Sequence, residues 1–588
     1  MNPEKRTGYP SIDQPWNRYF RAVDGGKPFE LPTESIYDYF LKCTADYGHL
    51  DALDYFGKRI TYKELTERIE SLSKALVNSG VQPGDVINII TLNSVEAYEL
   101  EYACNHVGAL FDFVSVAAEK HDLVRYLQDD QAKLVFVLDL FAEKALAAAK
   151  EVGVAERVIV MDLADEMPMA IKAGYKLKSR GQEKAFLKDP MVTKMSDFRK
   201  EGQDLPQVDY HKDCTTPAVF AHTGGTTGFP KTVLLNDIAY NGVSETYLRY
   251  MPFEINEYVL NCTVPFVVYS NSVGMHMPLC AAKAMMIIVP KFDPADWPKY
   301  FKQYGKINSL VCVPAQLIPL MEDPQMQNVD LSCMQVLGVG GDGCTNAFEN
   351  DLNEFLKSHG CETEPVKGYG MTEVGASACT TYPPGRVCTP DDVVVNAVGS
   401  VGFPHPMNEF VIWDNDNNCE CKYNEIGEIA LRCATEMICY KDNPEETEGI
   451  HKVHPNGKSY IHTGDLGYFD ENGLLYISGR MKRIFITMHD GLGYKCFPAH
   501  SEEVMSLHPA VSQICCVEMK DDEDHRLKAF VAQKEDSNLS DEELEAELRK
   551  LAEEQLPPYQ VPYLYEFRAN LPLTPVGKVD YKTLEKQA

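Results

Sequence analysis

Residues 222–232 read His-Thr-Gly-Gly-Thr-Thr-Gly-Phe-Pro-Lys-Thr, between apolar runs at 218–221 and 233–235. Gly224, Gly225 and Gly228 let the backbone approach a ligand and adopt positive φ. Free N–H groups in such a loop form a concave anion site, and the hydroxyls of Thr223, Thr226 and Thr227 with the Lys231 ammonium add donors. That chemistry is the holding of a polyphosphate. The common nucleotide loop, with a second glycine directly before its lysine, is excluded because Pro230 stands there, without an N–H and with fixed φ. The residues after Lys231 are β-branched and aliphatic, so a strand is expected on both sides of the loop.

Four further clusters carry groups of the same kind: Gly340-Gly341-Asp342, Gly368-Tyr369-Gly370-Met371-Thr372-Glu373, Thr463-Gly464-Asp465 and Gly479-Arg480-Met481-Lys482. A loop shaped by proline and glycine near the C-terminus carries Lys578. Taken singly, each has a bland reading. An Asp after Thr-Gly is a turn residue, a Glu after Thr is a helix N-terminal carboxylate, and a lysine so near the end is a frayed tail. Taken in order, the glycine–threonine loop, Tyr-Gly-Met-Thr-Glu, Thr-Gly-Asp, Gly-Arg-Met-Lys and Pro-Val-Gly-Lys resemble the core motifs of the adenylate-forming (AMP-binding) superfamily. The likeness is greatest to its acyl-CoA synthetases of the long- and medium-chain fatty acid type, and it covers nearly the whole chain.

The resemblance implies a two-step reaction. A carboxylate attacks the α-phosphate of ATP, giving an acyl-adenylate and pyrophosphate; a thiol then takes the acyl group and releases AMP. Thr223 to Lys231 are implied to hold the β- and γ-phosphates, Thr372 the α-phosphate and Glu373 a Mg²⁺ ion, since hard cations choose carboxylate and phosphate oxygens. Tyr369 with Gly370 and, opposite, Gly340, Gly341 and Asp342 are implied to enclose adenine. Asp465 and Arg480 fall to the ribose, Lys578 to the substrate carboxylate and α-phosphate during adenylation, Lys482 to a hinge pivot, and Gly493 to the path of the CoA arm. Expected co-substrates and cofactors are therefore ATP, Mg²⁺ and CoA.

Several positions depart from the family pattern. Valine stands at 268, where the family often has a histidine or other aromatic gate. Thr232 replaces a glycine, His500 an acid and Tyr581 an arginine. An apolar acyl pocket walled by Val267, Val268, Tyr269, Val273 and residues 371–377 is expected, and with it a medium- or long-chain fatty acid. The alternatives are a stand-alone enzyme loading a carrier protein, an aryl- or bile-type acid–CoA ligase, and a non-catalytic AMP-binding homologue. No acidic residue lies near 267–270 to pair an amino acid's ammonium.

These groups need a scaffold that brings residues from 223 to 578 together. At 588 residues the chain exceeds one hydrophobic core. Buried-strand patterns (86–90, 134–137, 157–160, 285–289, 310–313, 335–337) alternate with amphipathic helices, such as the one opened by the capping box at 61–64 and stopped by Gly80. That rhythm predicts an α/β fold: a large domain of layered, mainly parallel sheets and helices over 1–480, and a small mobile α+β lid over 483–588, hinged near 480–483. Residues 161–205 read as an excursion that resembles the insert of long-chain synthetases, with an amphipathic middle at 167–177. A second capping box at 540–543 opens a lid helix to about 555. The net charge of −31, without a basic cluster, argues against nucleic acid or an anionic membrane surface as main partner. The 18 cysteines show no metal spacing. No signal-like or membrane-spanning run is read, so a cytoplasmic enzyme is expected, with peripheral membrane contact and the choice of monomer or homodimer open.

Overall fold

The computed structural model describes residues 6–178, 184–223, 230–384, 393–489, 492–521, 524–534, 537–574 and 578–588. The capping boxes behave as read. Thr61 accepts from the Glu64 N–H and the Glu64 side chain returns to the Thr61 backbone, opening the helix Tyr62–Asn78, while Ser540 and Glu543 do the same for Asp541–Gln555. Each such cap is worth about 1 kcal/mol. Leu65, Ile69, Leu72 and Leu76 form the buried stripe of the first helix, and Gly80 past its end takes φ +80°.

The continuous apolar runs become strands of two large sheets. One has nine strands in the order 403–404, 379–380, 366–369, 336–339, 309–312, 258–261, 285–288, 51–55, 58–61. Its six central strands, from Val366–Tyr369 to Asp51–Tyr55, are parallel neighbours. The other has eight, in the order 439–440, 232–236, 217–222, 110–113, 86–90, 134–138, 157–161, 192–194, and is parallel from Pro217–His222 onward. Such strands are buried on both faces, which is why they read as unbroken Val/Ile/Leu. Two departures qualify the expected parallel layering. A third sheet (408–414, 419–420, 427–433, 451–453, 459–469, 475–480) is antiparallel throughout. The excursion at 161–205 is also partly structural, since Val192–Lys194 adds an edge strand and Phe186, Met195 and Phe198 are buried.

The smaller C-terminal domain has its own sheets, Phe485–His489 with Leu492–Cys496, and Val511–Asp521 with Asp524–Gln533 and Leu564–Arg568. Its core is separate, built from Phe485, Val504, Met505, Leu544, Leu548 and their neighbours. Among the described residues no helix is long and apolar enough to cross a membrane.

Parallel strands put their C-terminal ends on one side, and ligands of open α/β sheets bind beyond those ends. The chain leaves Pro217–His222 into Thr223, Val336–Val339 into Gly340, and Val366–Tyr369 into Gly370. Three of the sequence clusters thus issue from strand ends onto one cleft, a cavity of 2420 Å³ between the two domains.

Candidate active site

The glycine–threonine loop is rooted in an antiparallel pair, with Ala221 opposite Val233 and His222 opposite Thr232. Thr223 closes the pair twice: its N–H donates to the Lys231 carbonyl at 3.0 Å, and its Oγ1 accepts from the Lys231 N–H at 3.1 Å. This is the strand–loop–strand arrangement read from Pro230 and the residues after it. Gly224, Gly225, Thr226, Thr227 and Gly228 lie outside the described residues. Lys231 reaches Glu446 at 3.1 Å and sits 4.1 Å from the centre of the Tyr440 ring.

Tyr440 is the residue that the sequence left unmarked. Its hydroxyl donates to Glu373 Oε1 at 2.5 Å, with both side chains buried. Burial first, and the Glu373 carboxylate next, push the Tyr440 phenol up, so it stays a donor at all ordinary pH. Glu373 lies in the short 3₁₀ turn Thr372–Val374, which Gly375 ends at φ +73°. The turn folds back so closely that a Cβ on Gly370 would stand 1.8 Å from the Ala376 carbonyl oxygen. Only glycine fits there, and Thr372 and Glu373 owe their position to it.

Asp465 and Arg480 are Cα partners on adjacent strands, Ser459–Phe469 and Leu475–Arg480. Arg480 Nε lies 3.0 Å from Asp465 Oδ1, and the Tyr369 hydroxyl donates to Oδ2 at 2.8 Å. Tyr369 therefore joins the carboxylate that the sequence assigned to another part of the ligand. Burial raises the Asp465 carboxyl above its ordinary value, opposed by Arg480, Tyr369 and Lys578. Lys578 belongs to the smaller domain, where the Thr574 N–H donates to its carbonyl at 2.7 Å and Leu573 pairs with Val579. It feels the charges of Asp342, Arg480 and Asp465 across the cleft. Burial pulls its ammonium down, Asp342 and Asp465 oppose that, and Arg480 adds to it. Asp342 is raised by burial and lowered by Lys578. Both side chains keep solvent access in the open cleft, so water screens these terms.

Gly340 and Gly341 meet the expected acyl wall directly, since a Cβ on Gly340 would touch the Tyr269 ring at 3.0 Å. Tyr269 opens a π-helical turn, Tyr269–His276, a form that often marks a functional segment. Val267, Val268, Val273, Met371, Ala376 and Ser377 line the same cleft. Lys482 is exposed in the 3₁₀ turn Met481–Arg483 between the domains. Gly493 is not brought to the cleft; it sits in the hairpin with Phe485–His489, opposite Met488. Among the described residues the two domains also meet through polar contacts, the Asn346 N–H donating to Glu503 at 2.9 Å, Lys495 meeting Asp416 at 3.0 Å and Lys534 lying 3.7 Å from Asp351, and Gly479 packs against Ala499.

The departures from the family pattern acquire contacts. Thr232 Oγ1 faces His222 Nδ1 at 3.3 Å, and His222 Nε2 meets the buried Asp112 at 2.7 Å. Asn88 donates to both Asp112 and Asp130, which sit behind the loop's root. Burial and then the Asp112 charge push the Asp130 carboxyl up to about 9. Tyr581 lies under the Arg483 guanidinium at 5.1 Å, Arg483 pairs with Glu502, and His500 Nδ1 faces Gln560 at 3.3 Å. Nothing in the spacing of His222 or Tyr440 pointed to these roles, because each partner lies far off in sequence.

The cleft between the two domains thus gathers Thr223, Gly340 to Asp342, Tyr369 to Thr372, Asp465 and Arg480 of the large domain with Lys578 of the smaller one. Residues 41–441 match the model of the AMP-binding enzyme family and residues 500–578 that of the AMP-binding enzyme C-terminal domain. The chain belongs to the AMP-binding enzyme family. It is 27% identical over 559 residues to the long-chain-fatty-acid–CoA ligase of Bacillus subtilis (strain 168), covering 93% of this chain and 94% of that one. It is 24% identical over 543 residues to 4-coumarate–CoA ligase 1 of Narcissus pseudonarcissus, covering 90% and 89%. Its fold matches the crystal structure of the anthranilate CoA ligase AuaEII in complex with anthranoyl-AMP, with TM-score 0.80, 17% identity, and coverage of 95% and 98%.

Proposed function

We propose that the protein is an ATP-dependent acid–thiol ligase that forms an acyl-adenylate and then an acyl-CoA thioester, acting on a medium- or long-chain fatty acid. The observation that carries the reading is the convergence on one cleft of Thr223, Asp342, Tyr369, Thr372, Asp465 and Arg480 with Lys578 of the other domain. Phosphoryl chemistry of this kind is mostly positioning and electrostatic stabilisation, and the cleft has the groups for both. Thr223, Lys231 and the loop between them take the β- and γ-phosphates, and Thr372 the α-phosphate. Tyr369 and the turn at 340–342 enclose the base, and Asp465 with Arg480 take the ribose. Lys578 bridges the acid's carboxylate and the α-phosphate as charge builds there.

Magnesium fits the donor set. Among the described residues no cluster of three or more acidic, His or Cys side chains is arranged to hold a metal, but Mg²⁺ usually takes one or two carboxylates and completes its shell with phosphate oxygens and water. Glu373, aimed by Tyr440, is that carboxylate. The ion, when bound, neutralises phosphate charge; the chain's part is to hold Glu373 in place.

One lid position cannot serve both steps, so the small domain, 483–588, turns on the large one, 1–480, about Lys482 after adenylation. That swing carries Gly493 toward the cleft for the CoA arm, which accounts for its distance from it here. The fatty acid is favoured by the apolar wall Val267, Val268, Val273 and Met371, and by the fatty-acid ligase among the relatives. On this reading the reaction takes place in the cytoplasm.

The test is pyrophosphate release from ATP and Mg²⁺ over a panel of acids from acetate to palmitate, with aryl and amino acids, with and without CoA. Release with a fatty acid, accelerated by CoA, is the expected result. Release indifferent to CoA points to a carrier-protein acceptor, an aryl preference overturns the fatty-acid assignment, and AMP binding without release overturns the ligase.

A further inference from the structure

The apolar wall of the acyl pocket ends on a polar group. Tyr247, from the helix Asp237–Tyr250, and Ser377 and Thr380, from the segment after Glu373, line the cleft next to Val273, Met277 and Val336. The Tyr247 hydroxyl and Ser377 Oγ are 3.3 Å apart, and behind Ser377 stands His405, its Nε2 at 3.5 Å and its ring edge-on to Tyr247 at 5.9 Å. His405 is fully buried and its Nδ1 has no partner among the described residues. A pocket meant only for a hydrocarbon tail gains nothing from two hydroxyls and an imidazole at its end, because each must find partners away from water.

The available bonds leave capacity over. Thr380 Oγ1 gives its proton to the backbone, to the Lys367 or Thr381 carbonyl. The Tyr247 and Ser377 hydroxyls bond each other, and Ser377 Oγ also faces His405 Nε2; with the imidazole proton on Nε2, Ser377 accepts it, and one of the two hydroxyl protons and a lone pair on Tyr247 are left for the cleft. The group is also free of charge. Burial alone pulls the His405 imidazole down, to about 3, and no charged side chain acts on it. Burial raises the Tyr247 phenol above its ordinary value, opposed by its hydrogen bonds to Ser377 and Thr380, so it too stays neutral. The nearby Lys367 is spent on Glu349 and the Ala397 carbonyl. A second carboxylate or an ammonium on the substrate has no counter-charge here, and burying one unpaired is costly.

We infer that the acid taken by this pocket carries a neutral hydrogen-bonding group, a hydroxyl or a carbonyl, toward its distal end, and that Tyr247 and Ser377 bind it. The inference rests on the acid–CoA ligase function proposed for the cleft and narrows its substrate from a plain fatty acid to an oxygenated one.

The experiment uses the full chain, ATP, Mg²⁺ and CoA with matched sets at each chain length from six to sixteen carbons: the plain acid, its ω- and (ω−1)-hydroxy and oxo forms, and the α,ω-diacid. At the best length the hydroxy or oxo acid should exceed its plain partner about tenfold in kcat/KM, the worth of one well-placed hydrogen bond, and the diacid should fall below the plain acid. In Tyr247→Phe, which keeps the ring against His405, and separately in Ser377→Ala, that ratio should drop to about one. Wild type alone decides the matter if either variant fails to fold. Plain acids equal to or better than oxygenated ones at every length overturn the inference and leave the ligase standing. A ratio unchanged in a folded Tyr247→Phe variant also overturns it. Silence with every acid overturns both.

Discussion

Replacing Tyr440 by Phe removes one oxygen and tests how Glu373 is held. The phenol donates at 2.5 Å to a carboxylate that is 7% exposed, and Tyr440 itself is 3% exposed. Phe keeps the ring beneath Lys231 at 4.1 Å, so the loop's lysine retains its cation–π contact, worth about 0.5–1 kcal/mol where partly exposed. Only the bond to Glu373 is lost. A hydrogen bond to a charged group contributes about 1.5–3 kcal/mol, and removing one partner leaves the buried oxygen unsatisfied. At about 1.4 kcal/mol per decade this is roughly one to two decades in MgATP affinity, the range seen when a residue that orients a metal ligand is removed. Calorimetric titration of the variant with MgATP, and pyrophosphate release against Mg²⁺ at fixed ATP, read the loss directly. The urea midpoint should fall with it. MgATP affinity within twofold of wild type, in a protein that melts like wild type, would refute the claim that Tyr440 positions the carboxylate.

Lys578→Ala should cost about two to three decades in adenylate formation and spare thioester formation from a supplied acyl-adenylate, measured as separate half-reactions. On the role proposed for it the Lys578 cation is the working form, and with its ammonium pulled below the ordinary value, adenylation should fail as pH rises through a point below that of a free lysine. In the proposed ribose contact Asp465 acts as the anion, and its carboxyl is raised by burial. The KM for ATP should therefore climb as pH falls through a point above 3.8, and Asp465→Asn should remove that limb from the pH profile. Gly370→Ala places a Cβ against the Ala376 carbonyl at 1.8 Å and should destabilise the chain by about 2 kcal/mol or more, read by urea denaturation, with adenylation lost alongside.

Much of the large domain was legible because its signals are local. Each parallel strand is buried on both faces and reads as an apolar run, and each capping box joins residues three apart. The antiparallel third sheet was not read, since its strands alternate less cleanly and include the polar 462–465 and 478–480. The edge strand Val192–Lys194 was missed because three residues carry no period.

The sequence by itself determined the inventory of chemistry: a glycine–threonine loop that Pro230 bars from the common nucleotide class, a carboxylate at 373, another at 465, and a lysine at 578, in an order that fixes the family. It also puts glycine at 370, although the need for it appears only when Ala376 folds back upon it. Tertiary structure alone decided which of these groups meet. Tyr369 bonds Asp465 across 96 positions, Glu373 is held by Tyr440 across 67, and His222 leans on Asp112 across 110. The physical reason is that hydrogen bonds and charges act over a few ångströms of space, whereas sequence patterns report only neighbours along the chain. The polar group of Tyr247, Ser377 and His405, assembled from three separate segments, belongs wholly to the fold.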